Sequence, residues 1–184
     1  GLEVSGFGHA GVFLDACRDV RVTRVYAHDN GFAGILSGYG GSTNPSRNVY
    51  VGACRALNNP GNRHYLGDIS GSGICLFYVE GGVIEYGEAA YNGWGMEHDR
   101  QNGPVGIWLA HCRDVVVQHC VSHDNRSTTG DGGGFDLDSG CFDCTLQYNY
   151  SYGNAGCGFL LCAYALTPEH GLSNCTVRFC LSEN

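Results

Sequence analysis

Lysine is absent from this chain of 184 residues, and all ten of its basic side chains are arginine. A mechanism built on a lysine base or a lysine Schiff base is therefore closed to it. Charged residues make up only 15% of the chain while 43% is hydrophobic. A disordered chain needs the opposite balance, low hydrophobicity with high net charge. No apolar run approaches the length that spans a bilayer, and no signal-peptide pattern stands at Gly1, so membrane insertion is not expected. Positive charge is scarce as well. With a formal net charge of −8 the chain lacks the basic face that a phosphate backbone requires, which sets nucleic acid aside as a partner. Polyanionic sugars held by a few arginines or a cation stay compatible with it.

What the chain has in abundance is glycine, 30 residues against 4 prolines. Many short strands joined by tight turns have that composition. The length predicts one domain over residues 1–184 with a sizeable core. The cysteine count, 11, is high and odd. The only close pair, Cys141 and Cys144, has no matching second pair, so a zinc ribbon does not fit.

A repeat organises everything else. A glycine followed by an apolar-x-apolar strand pattern recurs at Gly11, Gly34, Gly73, Gly106, Gly134 and Gly158. A second pattern follows each time and ends at Asn30, Asn59, Asn92, Asn125 and Asn154, with Asn184 one residue out of register. Three residues before each asparagine sits a small side chain, Ala27, Ala56, Ala89, Ser122, Ser151 and then Ser182. Eight before sits an aliphatic one, Val22, Val51, Ile84, Val117, Leu146 and then Val177. Fixed chemistry at fixed offsets predicts identical side chains stacked coil upon coil. Three short strands and three turns fill such a repeat, and six coils at the strand spacing give a rod of about 29 Å. A leucine-rich repeat would need a leucine column, which is missing, and a sandwich would not keep asparagine at a constant offset.

This pattern resembles the right-handed parallel β-helix of pectate lyases, polygalacturonases, alginate epimerases and phage tailspikes, over essentially the whole chain. The fold expected is therefore all-β, a solenoid of about six coils. The asparagine column resembles the asparagine ladder of that superfamily. The paired-aspartate and His-Gly motifs of polygalacturonases are not found, so no family inside the superfamily is indicated. Both ends stop part-way through a coil, and an open coil exposes strand edges. A fragment lacking end caps is expected, with neighbouring domains of a larger chain as partners. Register brings Cys112 beside Cys141 and Cys144 beside Cys175, within reach of disulfides or as a stack of free thiols.

Function is expected where the repeat is interrupted. The asparagine-to-glycine connection is short after Asn30 and Asn154 but long after Asn59, Asn92 and Asn125. Long loops on a rigid scaffold are where binding concentrates. They carry His64, Tyr65, Trp94, Glu97, His98, Arg100, Arg126 and Asp131, whereas the connections at 39–47 and 164–172 look plainer. In the glycine-led strands the first residue after the glycine faces inward, and the second and fourth face outward. Asp136 and Asp138 then share an outward face about 6–7 Å apart, with Trp108 one strand away.

A tryptophan beside carboxylates on an open groove suits a sugar, and burial of Trp108 under the long loops is the alternative. Paired carboxylates suit glycoside hydrolysis, one raised in pKa as acid and one ionised. Asp136, Asp138, Asp131 and Glu97, with His98 for proton transfer, form the catalytic candidates. Trp108, Arg100, Arg126, His64, Tyr65 and Trp94 form the substrate-binding ones, and the partner expected is a polysaccharide or oligosaccharide. A polysaccharide lyase could use the same carboxylates to hold calcium against a uronate, with Arg100, His98 or Tyr65 as base. No cofactor is certain, and calcium is left open, because no complete calcium-loop spacing exists. A non-catalytic glycan-binding or structural β-helix is the remaining alternative, and a secreted or cell-surface location is expected. His28 and His123 occupy equivalent turns and read as repeat chemistry.

Overall fold

The computed structural model describes residues 1–38, 44–62, 70–96, 103–128, 131–165, 167 and 169–184. Its strands form three parallel sheets of six, six and seven strands, and consecutive members of each sheet come from consecutive coils. In the order of one coil they are called here the first, second and third sheets. The first holds the glycine-led strands, Ala10–Leu14, Ala33–Ser37, Ser72–Phe77, Ile107–Ala110, Phe135–Leu137 and Phe159–Leu161. The second runs from Arg18–Thr23 to Thr176–Arg178, and the third from Leu2–Ser5 to Leu181–Glu183. This is the all-β parallel solenoid of about six coils that the repeat predicts. No helix long and apolar enough to cross a membrane occurs among the described residues.

Register is fixed by like residues meeting like. Ile35, Ile74, Ile107, Phe135 and Phe159 pair in turn across the first sheet. Val51, Ile84, Val117, Leu146 and Val177 do so across the second. Apart from Val177, which is exposed, these columns meet in one interior core with Leu76, Leu109 and Leu137. A slip of one residue would turn every such side chain to the outside, so the pattern selects a single register.

The corner from the third sheet into the first explains the three invariant columns together. Asn92 Oδ1 accepts from the backbone N–H of Asn59 at 3.0 Å and from its Nδ2 at 2.8 Å. The Nδ2 of Asn92 donates to the Ala56 carbonyl and to Asn125 Oδ1, both at 2.9 Å. Asn30 to Asn59 and Asn125 to Asn154 repeat the amide contact. These side chains occupy the inside of the turn and leave no room for another. A Cβ on Gly106 would lie 2.0 Å from Ser122 Oγ and 2.6 Å from Asn125 Nδ2, and one on Gly134 would lie 2.2 Å from Ser151 Oγ. The glycine and the small residue are therefore dictated by the asparagine.

The expected cysteine neighbours are close, but no disulfide forms. All eleven cysteines are free. Their thiols hydrogen-bond back to main-chain carbonyls: Cys112 to Leu76, Cys141 to Leu109, Cys144 to Cys112 and Cys175 to Cys141. The thiols also neighbour one another, Cys112 by Cys141, Cys141 by Cys144 and Cys144 by Cys175, as a stack of free thiols.

Replacing Asn92 by alanine strands the Asn59 donors and the Ala56 carbonyl inside the corner. A loss of about 3 kcal/mol or more is expected at one to three per buried unmet group. Urea unfolding measures it, and a loss below ~0.5 kcal/mol, the scale of surface substitutions, would show the column to be dispensable.

Candidate active site

The strand Phe135–Leu137 belongs to the first sheet, and its neighbours fix which way each residue faces. Phe135 stacks on Phe159 inside the core at 5.0 Å between ring centres, so Asp136 points outward. Asp136 pairs with Trp108 on one side and Leu160 on the other. Asp138 follows on the same outer face, its amide donating to Leu109 O at 2.9 Å. Asp131 stands just before the strand. Its Oδ2 accepts from the Gly103 amide at 2.6 Å, while Gly132 turns the chain at φ +87° and donates to Pro104 O. The long connections of neighbouring coils thereby brace one another.

The outer face of the first sheet is not the open groove that alternation predicts. Trp108 is only 5% exposed and Asp136 3%. Phe32, Leu36, Cys75, Phe77, Val105 and Ala110 make a second apolar cluster with Trp108 on the outside of the solenoid. Phe32 and Val105 come from the connections that lead into this sheet, and Trp108 meets Phe77 edge to face at 5.2 Å. Strand alternation reports which side of the sheet a residue takes, not whether a connection then covers it. Trp108 is thus a wall, not an open sugar platform.

Burial decides the electrostatics. Asp136 Oδ1 and Trp108 Nε1 are buried without a hydrogen-bond partner. The Trp108 indole N–H nonetheless favours the ionised form of Asp138. Desolvation pushes the Asp136 carboxyl well above the usual carboxylate range, and the charges of Asp138 and Asp131 add to it. Asp131 is also raised by burial against the pull of the Gly103 amide, with Asp138 adding repulsion. Asp138 is raised by burial too, opposed by the Ser139 amide at 2.6 Å and by His111. Three coupled carboxyls of this kind hold protons as a group. Asp131 and Asp138 are half-buried, so of the three they are the ones solvent reaches.

Sequence reasoning missed the other side of this cluster. His111 follows the Trp108 strand and stacks on Tyr78 at 4.8 Å. Burial and then His170 lower its pKa, favouring the neutral ring. The Tyr164 hydroxyl lies between His111 Nε2 at 3.3 Å and His170 Nδ1 at 3.0 Å, and the Tyr164 amide donates to Ser139 Oγ. The 164–172 connection that looked plain therefore reaches the residue next to Asp138. The register of Leu109 with Leu137 carries the signal, since it puts the residues after both strands side by side.

The remaining candidates divide. Trp94 and Arg126 line openings at the third-to-first corner with Asn58, Tyr91 and Asp124, apart from Trp108 and Asp136. Glu97, His98, Arg100, His64 and Tyr65 lie outside the described residues. His28 and His123 each bridge two acids, Asp29 and Glu3 in one coil and Asp124 and Glu88 in another. Among the described residues no three His, Cys, Asp or Glu side chains converge as a metal site.

A carboxyl whose folded pKa is raised binds more protons in the native state than in the unfolded one. Stability then falls as pH climbs from the ordinary aspartate pKa, about 3.9, through the raised one, and stays lower above it. Asp136→Asn removes this cost. The variant is expected to gain on the order of 1 kcal/mol near neutral pH, as replacements in strained sites do, and nothing below about pH 3.9. Denaturant curves at both pH values test this, and equal stability to the parent at neutral pH would contradict it.

Residues 1–181 match the family model described as a right handed beta helix region. Over 133 residues the chain is 32% identical to "Lacto-N-biosidase" of Bifidobacterium longum subsp. longum, a match that covers 66% of this chain and 8% of that protein. The chain therefore spans less than a tenth of this curated relative. Crystal structures of the GH136 lacto-N-biosidase from Eubacterium ramulus share the fold. The selenomethionine derivative aligns with 87% of this chain and 27% of its own, at a TM-score of 0.58 and 21% identity. The native protein aligns with 93% and 36%, at a TM-score of 0.53 and 19% identity. By its family match and its three-sheet solenoid, this chain belongs to the right-handed β-helix family.

Proposed function

We propose that this chain carries the carboxylate site of a glycoside hydrolase that acts on an oligosaccharide. The observation that carries the reading is the trio Asp131, Asp136 and Asp138, raised together in pKa on the covered outer face of the first sheet. Glycoside hydrolysis needs one carboxyl that still holds a proton near neutrality and one that is ionised. Burial supplies the first condition, and the amide donors to Asp131 and Asp138 supply the second. The half-buried pair, Asp131 and Asp138, is the pair that meets the glycosidic bond, and Asp136 beneath them stores a proton. This revises the pairing of Asp136 with Asp138 that alternation suggests, because a 3% exposed carboxyl has no room for a sugar against it. His111, hydrogen-bonded to Tyr164, flanks Asp138 from the other side.

The relatives named lacto-N-biosidase support a β-helix glycosidase and suggest a lacto-N-bioside as the first substrate to try. A secreted or cell-surface location goes with this reading. Calcium-assisted elimination is less favoured, because it needs oxygen ligands gathered around one ion and the described carboxylates are not gathered so.

With an aryl lacto-N-bioside, Asp131→Asn and Asp138→Asn are each expected to lower kcat by about 10²–10⁴-fold, the usual contribution of a positioned acid or base. Asp136→Asn should keep its rate within about tenfold near neutral pH, since burial already favours the protonated, uncharged form of its parent. Its pH profile should stay close to the parent's, because Asp136 is not among the groups that raise Asp131 and Asp138. Full activity in both the Asp131 and Asp138 variants would sink the assignment. Glycan binding without product in the parent protein would favour the non-catalytic alternative, and an unsaturated product absorbing in the ultraviolet would favour the lyase.

A further inference from the structure

We propose that the corner between the third and first sheets holds a second carbohydrate subsite, centred on the Trp94 indole, for the distal rings of a neutral oligosaccharide. The proposal takes its ligand class from the glycosidase reading above, and its geometry stands apart from the carboxylates.

Trp94 is 54% exposed and Tyr91 beside it 50%. A large ring on the surface is commonplace, but this one is fixed. Its Nε1–H donates to Asn58 Oδ1 at 2.9 Å, and the Asn58 amide is itself anchored on Asp29. The hydrogen bond holds the indole edge, which leaves a flat apolar face to solvent and removes the entropy a loose ring would lose on binding. Two adjoining cavities share Trp94 and Arg126. One, of about 290 Å³, also has Asn58, Tyr91 and Asp124 in its wall, and the other, of about 500 Å³, has Ser127, Thr128 and Ala155. These sizes lie at or near the range of small-ligand sites, about 300–1,000 Å³.

The polar groups around the ring are of both kinds. The Arg126 guanidinium donates and has no ion pair among the described residues, while Asp124 and Asn58 offer acceptors. A sugar hydroxyl both donates and accepts, so this mixture fits it, whereas Asp124, Asp29 and a net charge of −8 disfavour a polyanion. The wall of the wider cavity packs against the turn that carries Asp131. A Cβ on Gly132 would lie 2.8 Å from the Ser127 amide, and one on Gly156, next to Ala155, would lie 2.7 Å from the Asp131 carbonyl. The corner and the carboxylates are thus packed neighbours, and in the proposed arrangement a long glycan passes over this turn from one to the other.

The chain has two tryptophans, one exposed and one buried, so iodide quenching of the unmodified protein reads Trp94 alone. The probes are lacto-N-biose and a tetrasaccharide that ends in it. The tetrasaccharide is expected to protect Trp94 from iodide in a saturable way, and to do so equally in Asp138→Asn. Trp94→Ala should raise KM for the tetrasaccharide at least ~5-fold, the effect of losing one interface anchor. It should leave KM for the short aryl substrate unchanged, and Trp94→Phe should recover most of the loss. Protection without hydrolysis would keep the subsite and discard the glycosidase reading. Hydrolysis with no protection, and with equal KM in the Trp94→Ala variant for both substrates, would overturn the subsite alone.

Discussion

Everything in this molecule depends on the hydrogen bonds that asparagine makes at one corner of the coil. In a parallel solenoid the strands pair only with the coils above and below, so each corner must bring its backbone groups back to the same height every turn. At this corner the side-chain amide takes over the pairing that the backbone gives up in turning. Asn92 bonds upward to Asn125 and is bonded from below by Asn59, and all three are fully buried. An amide has a donor and an acceptor at one end of a short stem, so one asparagine can continue the stack in both directions. Glycine at the start of the next strand and alanine or serine three residues back then follow from space alone.

That fixed corner also determines where chemistry can occur. Because the interior columns are occupied by aliphatic and aromatic residues, a charged group can be accommodated only on an outer face. On the second sheet the outer face is solvated and charges pair or bond there, as Arg47 with Glu80 and Gln118 with Glu85. On the first sheet the face is covered, and the same kind of residue meets a different fate. Asp136 has lost its water and found no donor, so its carboxyl prefers the proton. Two carboxyls nearby with amide donors resist the same push. The contrast between them comes from a few hydrogen bonds, and it is that contrast which acid–base chemistry requires.

The sequence made the solenoid legible because its columns are one-dimensional: an offset from an asparagine is enough to place a residue in the coil and to say which side it faces. Ile35, Ile74 and Ile107 could be put in one inner column before any coordinates. Whether an outward residue meets water is a different kind of fact. It depends on how a connection of many residues lies across its neighbours, and nothing in a period of about one coil encodes that. Hence Asp136 and Asp138 were legible as outward and adjacent, while the choice between an exposed and a buried Trp108 stayed open. His111 and Tyr164 were missed for a related reason. They sit beyond strand ends, where the repeat is least regular, and their hydrogen bonds to each other and to Ser139, next to Asp138, join three successive coils.

The two tryptophans make the distinction sharp. Trp108 lies on a strand whose direction is fixed by Ile107 and Leu109 pointing inward, and it is enclosed by residues such as Val105 from the connection ahead of it. Trp94 lies within a connection, has no strand to fix it, and is held instead by a single bond from its indole nitrogen to Asn58. Asn58 occupies the turn at φ +55°, next to Asn59 of the column, so the orientation of the exposed ring is inherited from the same corner that sets the coil. Burial makes the indole of Trp108 part of the wall against which a carboxyl loses its charge. Exposure together with a pinned edge makes that of Trp94 a surface ready for the apolar face of a sugar. A rigid repeat thus uses one residue type in both ways, and the deciding variable is whether the indole sits on the strand or in the connection that crosses it.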